Sequence, residues 1–211
     1  LNTAYFTNLE TKIKKNPLLG RKAHAEMMPL SRKEALDSLD FKKLTPKFAA
    51  VLCLFYPKAG EIYFPLILRN KYPGVHSNQV SFPGGRIEAT DVDFSHTALR
   101  ECEEEIGVQQ SHVKLLKQLT DIYIPPSNFQ VKSFIGFCNK APNFRLQTSE
   151  VQELIEVKLS DLLDDSVLVS ENLSTSYAHQ IDVKAFKLNN FTVWGATAMI
   201  LSEIKYLLKS L

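Results

Sequence analysis

Apolar residues recur along this chain in two rhythms. At both ends the period is helical. Over residues 3–15, Tyr5, Phe6, Leu9 and Ile13 fall three and four positions apart and so share one face. Lys12, Lys14 and Lys15 crowd the end of that stretch, where a helix dipole favours cations, and Pro17 and Gly20 stop it. Over residues 194–211, Ile200, Leu201, Ile204, Leu207, Leu208 and Leu211 keep the same period and predict a strongly amphipathic helix. A second short helix is expected after Ser31, where Ser31-x-x-Glu34 has the form of a capping box.

Between the ends the pattern is that of strands. Residues 48–55 are an unbroken apolar run of strand length, bounded by Pro57 and Gly60. A second strand is predicted over 62–68, with residues 56–60 supplying the turn. A short strand over 79–82 runs into a glycine turn at Gly84-Gly85. Residues 113–124 read as one long strand or two broken ones, followed by a Pro125-Pro126-Ser127-Asn128 turn. Strands are expected over 129–138 and 153–157, and Ser160 is placed to cap a helical turn over 161–164. Residues 179–188 and 191–194 predict a hairpin about Asn189-Asn190. Mixed strands with a few helices predict an α+β fold, helices covering a central mixed sheet. Residues 1–47 are expected to be a solvated helical extension, with a flap or a homodimer arm as alternatives, and residues 48–211 the domain proper.

Composition changes this picture little. The 211 residues, 45% hydrophobic and 23% charged, suit one large globular domain. Lys and Arg number 25 against 23 Asp and Glu, a net charge of +2, which gives no electrostatic reason to expect nucleic acid or an anionic membrane as partner. No run is long and apolar enough to span a bilayer, and no stretch reads as a signal peptide. Cys53, Cys102 and Cys138 stand apart in apolar stretches, so buried free thiols in a reducing compartment, the cytoplasm, are expected.

The chemistry concentrates in one stretch. Phe82-Pro83-Gly84-Gly85 leads through Asp91 and Asp93 into a predicted helix with glutamates at 101, 103, 104 and 105. Glu101, Glu104 and Glu105 sit at i, i+3 and i+4 and are expected to be presented outward together, while Ala98, Leu99, Cys102 and Ile106 form a different, apolar face. Hard carboxylate oxygens in such a cluster suit Mg²⁺ or Mn²⁺ rather than zinc, and Mg²⁺ at a site of this kind also binds substrate phosphate. The glycines let backbone approach a ligand closely, so a carbonyl there can complete a metal shell. Gly107 fits a left-handed helix cap.

These residues resemble a Nudix box, G-x5-E-x7-R-E-U-x-E-E-x-G-U with U apolar. From Arg100 to Val108 every position matches. Between Gly85 and Arg100 there is one residue more than the pattern has, and Asp91 and Asp93 are the two candidates for the acidic partner of Arg100. The resemblance implies an α/β/α sandwich around a mixed sheet. It also implies metal on Glu101, Glu104, Glu105 and the Gly85 carbonyl, catalysis by these glutamates, and support from Gly84, Asp91, Asp93, Arg100 and Gly107. The base is one of the three or a glutamate from a later loop, Glu150 or Glu153. The activity implied is hydrolysis of a nucleoside diphosphate linked to another group. Ala98-Leu99-Arg100-Glu101, Glu150-Val-x-Glu153 and Trp194-Gly-Ala-Thr197 look like the branch that cleaves coenzyme A. That branch's upstream signature is kept only at Arg69 and Phe82-Pro83-Gly84-Gly85, which leaves ADP-ribose or a dinucleotide as alternative substrates, and a silent nucleotide-binding module as a third reading. Arg69 and Arg86 are candidates for binding substrate phosphate.

Overall fold

The computed structural model describes residues 3–29, 33, 43–174 and 180–209. Helices α1 (Thr3–Lys15) and α2 (Arg21–Glu26) precede β1 (Lys47–Lys58), β2 (Glu61–Arg69), β3 (Val80–Ser81) and β4 (Gly84–Arg86). Helix α3 (Phe94–Ile106) is followed by β5 (Lys114–Gln118), β6 (Ile122–Ile124), β7 (Phe129–Phe137) and β8 (Val151–Lys158). Then come α4 (Leu159–Leu163), β9 (Leu168–Leu173), β10 (Ile181–Leu188), β11 (Phe191–Val193) and α5 (Gly195–Lys209).

The strand β1 is the spine. It pairs parallel with β7 from Lys47↔Phe129 to Phe55↔Phe137, and antiparallel with β2 and β4. Strands β3 and β8 extend the sheet beyond β2, and β5 and β6 beyond β7. The unbroken apolar run of β1 follows from burial on both faces. Its even positions, Ala50, Leu52, Leu54 and Tyr56, pack with Ala98, Cys102 and Ile106 of α3. Cys53 and Phe55 pack with Ile200, Leu201 and Ile204 of α5 on the other face. The result is the expected mixed sheet between helical layers, α+β in composition. A second, three-stranded sheet, β9-β10-β11, flanks the α5 side.

Several expectations need correction. The 56–60 turn is tighter than expected: Pro57 and Lys58 remain in β1, and Ala59-Gly60 alone turns the chain with both φ values positive, 48° and 82°. Pro57 is tolerated because the sheet does not call on a donor from it. Strand β9 and helix α2 carry no strong periodic signal and were not anticipated. Helix α4 begins at Leu159, so Ser160 does not cap it, and Asp164 instead accepts from the Ser166 N–H at the next turn. The Ser31–Glu34 capping box, His179 and Leu211 lie outside the described residues.

The N-terminal helices are not solvated extensions. Ile13, Ala23 and Met27 are fully or nearly fully buried, and Leu9, Ile13 and Met27 belong to the same apolar cluster as the sheet and α5. A polar knot fixes them there. Glu203, in α5, is 0% exposed and accepts from Thr120 Oγ1 at 2.6 Å, from the Thr120 N–H at 3.2 Å and meets His24 Nε2 at 3.1 Å. Ser202 donates to the Ala23 carbonyl at 2.9 Å, and Asn16 to that of Leu207 at 3.0 Å. Burial by itself would raise the Glu203 carboxyl, but the hydrogen bonds from His24 and Thr120 outweigh it and hold the group below its ordinary value.

Glu203→Ala is therefore expected to cost about 3 kcal/mol in urea unfolding, since it strands His24 and Thr120 without a partner. A depressed carboxyl contributes stability above its unfolded pKa and loses it as pH falls through the folded value. The stability gap between wild type and Glu203→Gln should be widest near neutrality and narrow below about pH 4. A gap that stays constant down to that pH would show that Glu203 is not held ionised.

Candidate active site

The site is assembled where β4 lies across β1 and beneath α3. Ala49↔Arg86, Ala50↔Gly85 and Val51↔Gly84 are paired, so the Gly84-Gly85 stretch, expected as a turn, is a short strand. Gly84 has φ 155°, and a Cβ there would overlap the Ala50 carbonyl. A Cβ on Gly85 would run into the Glu101 carboxylate. Glycine at 85 is thus what allows backbone and carboxylate to stand together. At the far end of α3, Gly107 takes φ 76° and its N–H closes on the Glu103 carbonyl at 2.9 Å, the left-handed cap expected.

Asp91 and Asp93 divide their roles. Asp93 is the N-cap of α3: its carboxylate accepts from the His96 N–H at 2.8 Å and from Ser95 Oγ at 2.7 Å. Asp91 is the partner of Arg100, accepting from Nε at 2.9 Å and from the same guanidinium at 3.0 Å through its other oxygen. Thr97 Oγ1 at 3.0 Å and the Glu88 N–H at 2.9 Å complete its shell, and His96 Nδ1 lies 3.1 Å away. The Arg100 guanidinium holds the Asp91 carboxyl well below the usual carboxylate range. Asp91 stands at the Nudix pattern's own distance from Gly85. The additional residue therefore lies in the capping turn between Asp91 and Arg100, where it leaves the ion pair intact.

The three glutamates do not share one solvated face as expected. Glu104 is open to solvent, Glu101 is largely covered, and Glu105 is 1% exposed beneath them. Arg100 donates to Glu101 and to Glu104, each at 2.9 Å, and to the Arg86 carbonyl at 3.0 Å. Glu105 accepts from the Gly84 N–H at 2.8 Å and from Arg69 at 3.2 Å. Burial pushes the Glu105 carboxyl up to about 7; Arg69 and the Gly84 N–H oppose that shift, and the charges of Glu101 and Glu150 add to it. The Glu101 carboxyl is raised as well, mainly by burial. Glu150 is thus the later glutamate whose charge reaches the site, whereas Glu153 lies on the exposed side of β8 opposite Leu68.

Among the described residues, no three His, Cys, Asp or Glu side chains converge as a ready-made metal site. The donor set nevertheless fits a hard divalent cation. Glu101 raises Glu105 through like charge, Glu104 does the same to Glu101, their oxygens are the ligand type Mg²⁺ and Mn²⁺ take, and Gly85 leaves room for backbone beside Glu101.

A cavity of about 520 Å³ opens beside this cluster, on the α5 side of the sheet. Arg69, Tyr72, His76, Gln79 and Ser81 line a polar part of it. Gly84, Gly85 and Arg86 form its edge, and Ile124, Pro126, Phe129, Val131 and Trp194 an apolar wall. Arg69 thus touches both the cavity and Glu105, and Arg86 opens onto the cavity. Trp194 and Phe129 are cavity wall. Tyr72 and His76 were not anticipated, because they sit in a loop without periodicity.

The NUDIX domain family matches residues 46–174, and the chain belongs to the Nudix family. Nudix hydrolase 22, chloroplastic, of Arabidopsis thaliana is 32% identical over 172 residues, covering 78% of this chain and 56% of that protein. Nudix hydrolase 15, mitochondrial, of the same plant is 33% identical over 171 residues, with 78% and 59% covered. An uncharacterized Nudix hydrolase NudL of Pectobacterium atrosepticum is 30% identical over 133 residues, 61% of this chain and 66% of that protein. The chain spans a little over half the length of the two plant relatives. A MutT/nudix family protein from Enterococcus faecalis shares the fold, with TM-score 0.53 at 15% identity over 88% of this chain and 72% of the other.

The division between the two aspartates is open to a direct comparison. Asp91→Asn, which removes a carboxylate that Arg100 grips with two nitrogens, is expected to cost about 2–3 kcal/mol in denaturant unfolding. Asp93→Ala, a lost N-cap, should cost about 1 kcal/mol. Equal costs would contradict the assignment of the ion pair to Asp91.

Proposed function

We propose that the chain is a metal-dependent hydrolase that cleaves the diphosphate of a nucleoside diphosphate linked to another group, with coenzyme A or its derivatives as the favoured substrate. The observation that carries the chemistry is the clustering of Glu101, Glu104 and Glu105 beside a glycine strand and an arginine that faces a cavity. Glu101, Glu104, Glu105 and the Gly85 carbonyl are the groups proposed to hold Mg²⁺ or Mn²⁺. Such a cation would neutralise charge on the diphosphate and acidify water. Arg69 orients a phosphate oxygen from the cavity side. Asp91 acts through Arg100 by fixing where Glu101 and Glu104 stand. One of Glu101, Glu104 and Glu105, or Glu150 from the later loop, takes the proton of the attacking water. The coenzyme A reading rests on the branch-like residues after Gly85 and on the largely apolar cavity wall, which suits a long, weakly polar arm. The buried free thiols of Cys53, Cys102 and Cys138 support a reducing compartment such as the cytoplasm.

The test is a panel of diphosphate compounds with Mg²⁺ or Mn²⁺ and product identification by mass. Coenzyme A should yield adenosine 3′,5′-bisphosphate and 4′-phosphopantetheine; cleavage of ADP-ribose or a dinucleotide instead would move the substrate and keep the chemistry. Glu104→Gln, at an exposed position, should leave the melting temperature unchanged and lower turnover by about a hundredfold or more. Wild-type turnover in that variant on every substrate cleaved would remove Glu104 from the metal site. Gly85→Ala should fold, because the Glu101 side chain can swing aside, yet lose turnover on a comparable scale.

A further inference from the structure

One part of the cavity wall carries positive charge that the chemistry at Glu101–Glu105 does not use. Lys47, Ala49 and Val51 alternate onto the same face of β1, and Ala49 and Val51 line the cavity. Lys47 pairs with Phe129 in β7, and Ala49 with Arg86 in β4. The ammonium of Lys47 lies 5.8 Å from the centroid of the Phe129 ring, and the guanidinium carbon of Arg86 lies 6.0 Å from the same centroid. Both therefore reach one aromatic ring from the β1 side of β7.

A ring face attracts a cation but does not neutralise it. Among the described residues, neither the Lys47 nor the Arg86 side chain meets a carboxylate, whereas Arg69 and Arg100 are both tied to glutamates. Two like charges held about one cavity-lining ring repel each other until an anion comes between them. Arg86 follows Gly85 directly, so an anion there sits close to the diphosphate without competing for Arg69.

We propose that Lys47 and Arg86, gathered about Phe129, form a second anion subsite. It takes a phosphate monoester carried by the nucleotide half of the substrate in addition to its diphosphate. The inference rests on the hydrolase reading for its setting, since the diphosphate defines which end of the nucleotide lies at Gly85. It would favour nucleotides phosphorylated on the ribose over those that are not.

Calorimetric titration of the full chain with adenosine 3′,5′-bisphosphate and with adenosine 5′-monophosphate tests it apart from catalysis. The bisphosphate should bind about tenfold tighter, from two partly exposed charge pairs worth about threefold each. Lys47→Met or Arg86→Met alone should reduce that preference to about threefold, the double variant should abolish it, and Arg86→Lys should retain most of it. The preference should also shrink as salt is raised. Equal affinities in the wild type, a preference that survives in the double variant, or no binding of either nucleotide at millimolar concentration would each overturn the subsite. A chain that cleaves diphosphates yet fails this titration loses only the subsite. One that shows the preference yet cleaves nothing loses the hydrolase reading.

Discussion

The Arg100 guanidinium joins three parts of the chain at one point. It holds the Asp91 loop, the Arg86 carbonyl at the end of β4, and the Glu101 and Glu104 carboxylates of its own helix. A planar, permanently charged fork with five donors can do this; an ammonium, a point charge on a flexible stem, cannot hold four acceptors in fixed directions. Because Asp91 is fully covered and further tied to Thr97 and the Glu88 N–H, the loop cannot drift without stranding a buried charge. Together with the Gly84 N–H that Glu105 accepts, this side chain sets the position of β4 against α3, and with it the gap that Gly85 leaves beside Glu101.

The two arginines at the site act at different depths. Arg100 works at the rim and leaves Glu104 open to solvent. Arg69 comes from β2, on the opposite side of the glycine strand, and meets the buried Glu105. Their separate origins in the fold keep the glutamates from being neutralised as a group by one cation. They also place one guanidinium in contact with the cavity.

Much of this was legible in the sequence, for identifiable reasons. The strand β1 showed as an apolar run because it is buried on both faces, and α5 showed through its period because one side of it meets the sheet over its whole length. The box helix showed because its residue types are chemically unusual together. What did not show was direction. Spacings of three and four place Glu101, Glu104 and Glu105 near one another, but they do not say that Glu105 turns inward to the Gly84 N–H while Glu104 stays in water. The choice between Asp91 and Asp93 had the same character, since either reaches Arg100 in an extended chain and only the capping turn decides. Helix α2 was missed because it is short, and its burial depends on Glu203, remote in sequence. Lys47 could have been found: period two along β1 places it on the face of Ala49 and Val51.

Charge at the site gives the strongest physical reason to connect these features. Among the described residues, the permanent cations that Asp91, Glu101, Glu104 and Glu105 meet at short range are Arg100 and Arg69, and Glu150 adds its own field. Burial pushes the Glu105 carboxyl up to about 7 against the pull of Arg69 and the Gly84 N–H, and the charges of Glu101 and Glu150 add to that shift. A purely structural helix would gain by replacing Glu105 with an apolar residue, since burying a charge costs more than a single partly exposed arginine returns. The carboxylates are intelligible as a set only if their excess charge matches something that arrives from solution. A divalent cation, as proposed for this site, would match the excess of two carboxylates over two guanidiniums, and a diphosphate bound with it would return negative charge on the side of Arg69.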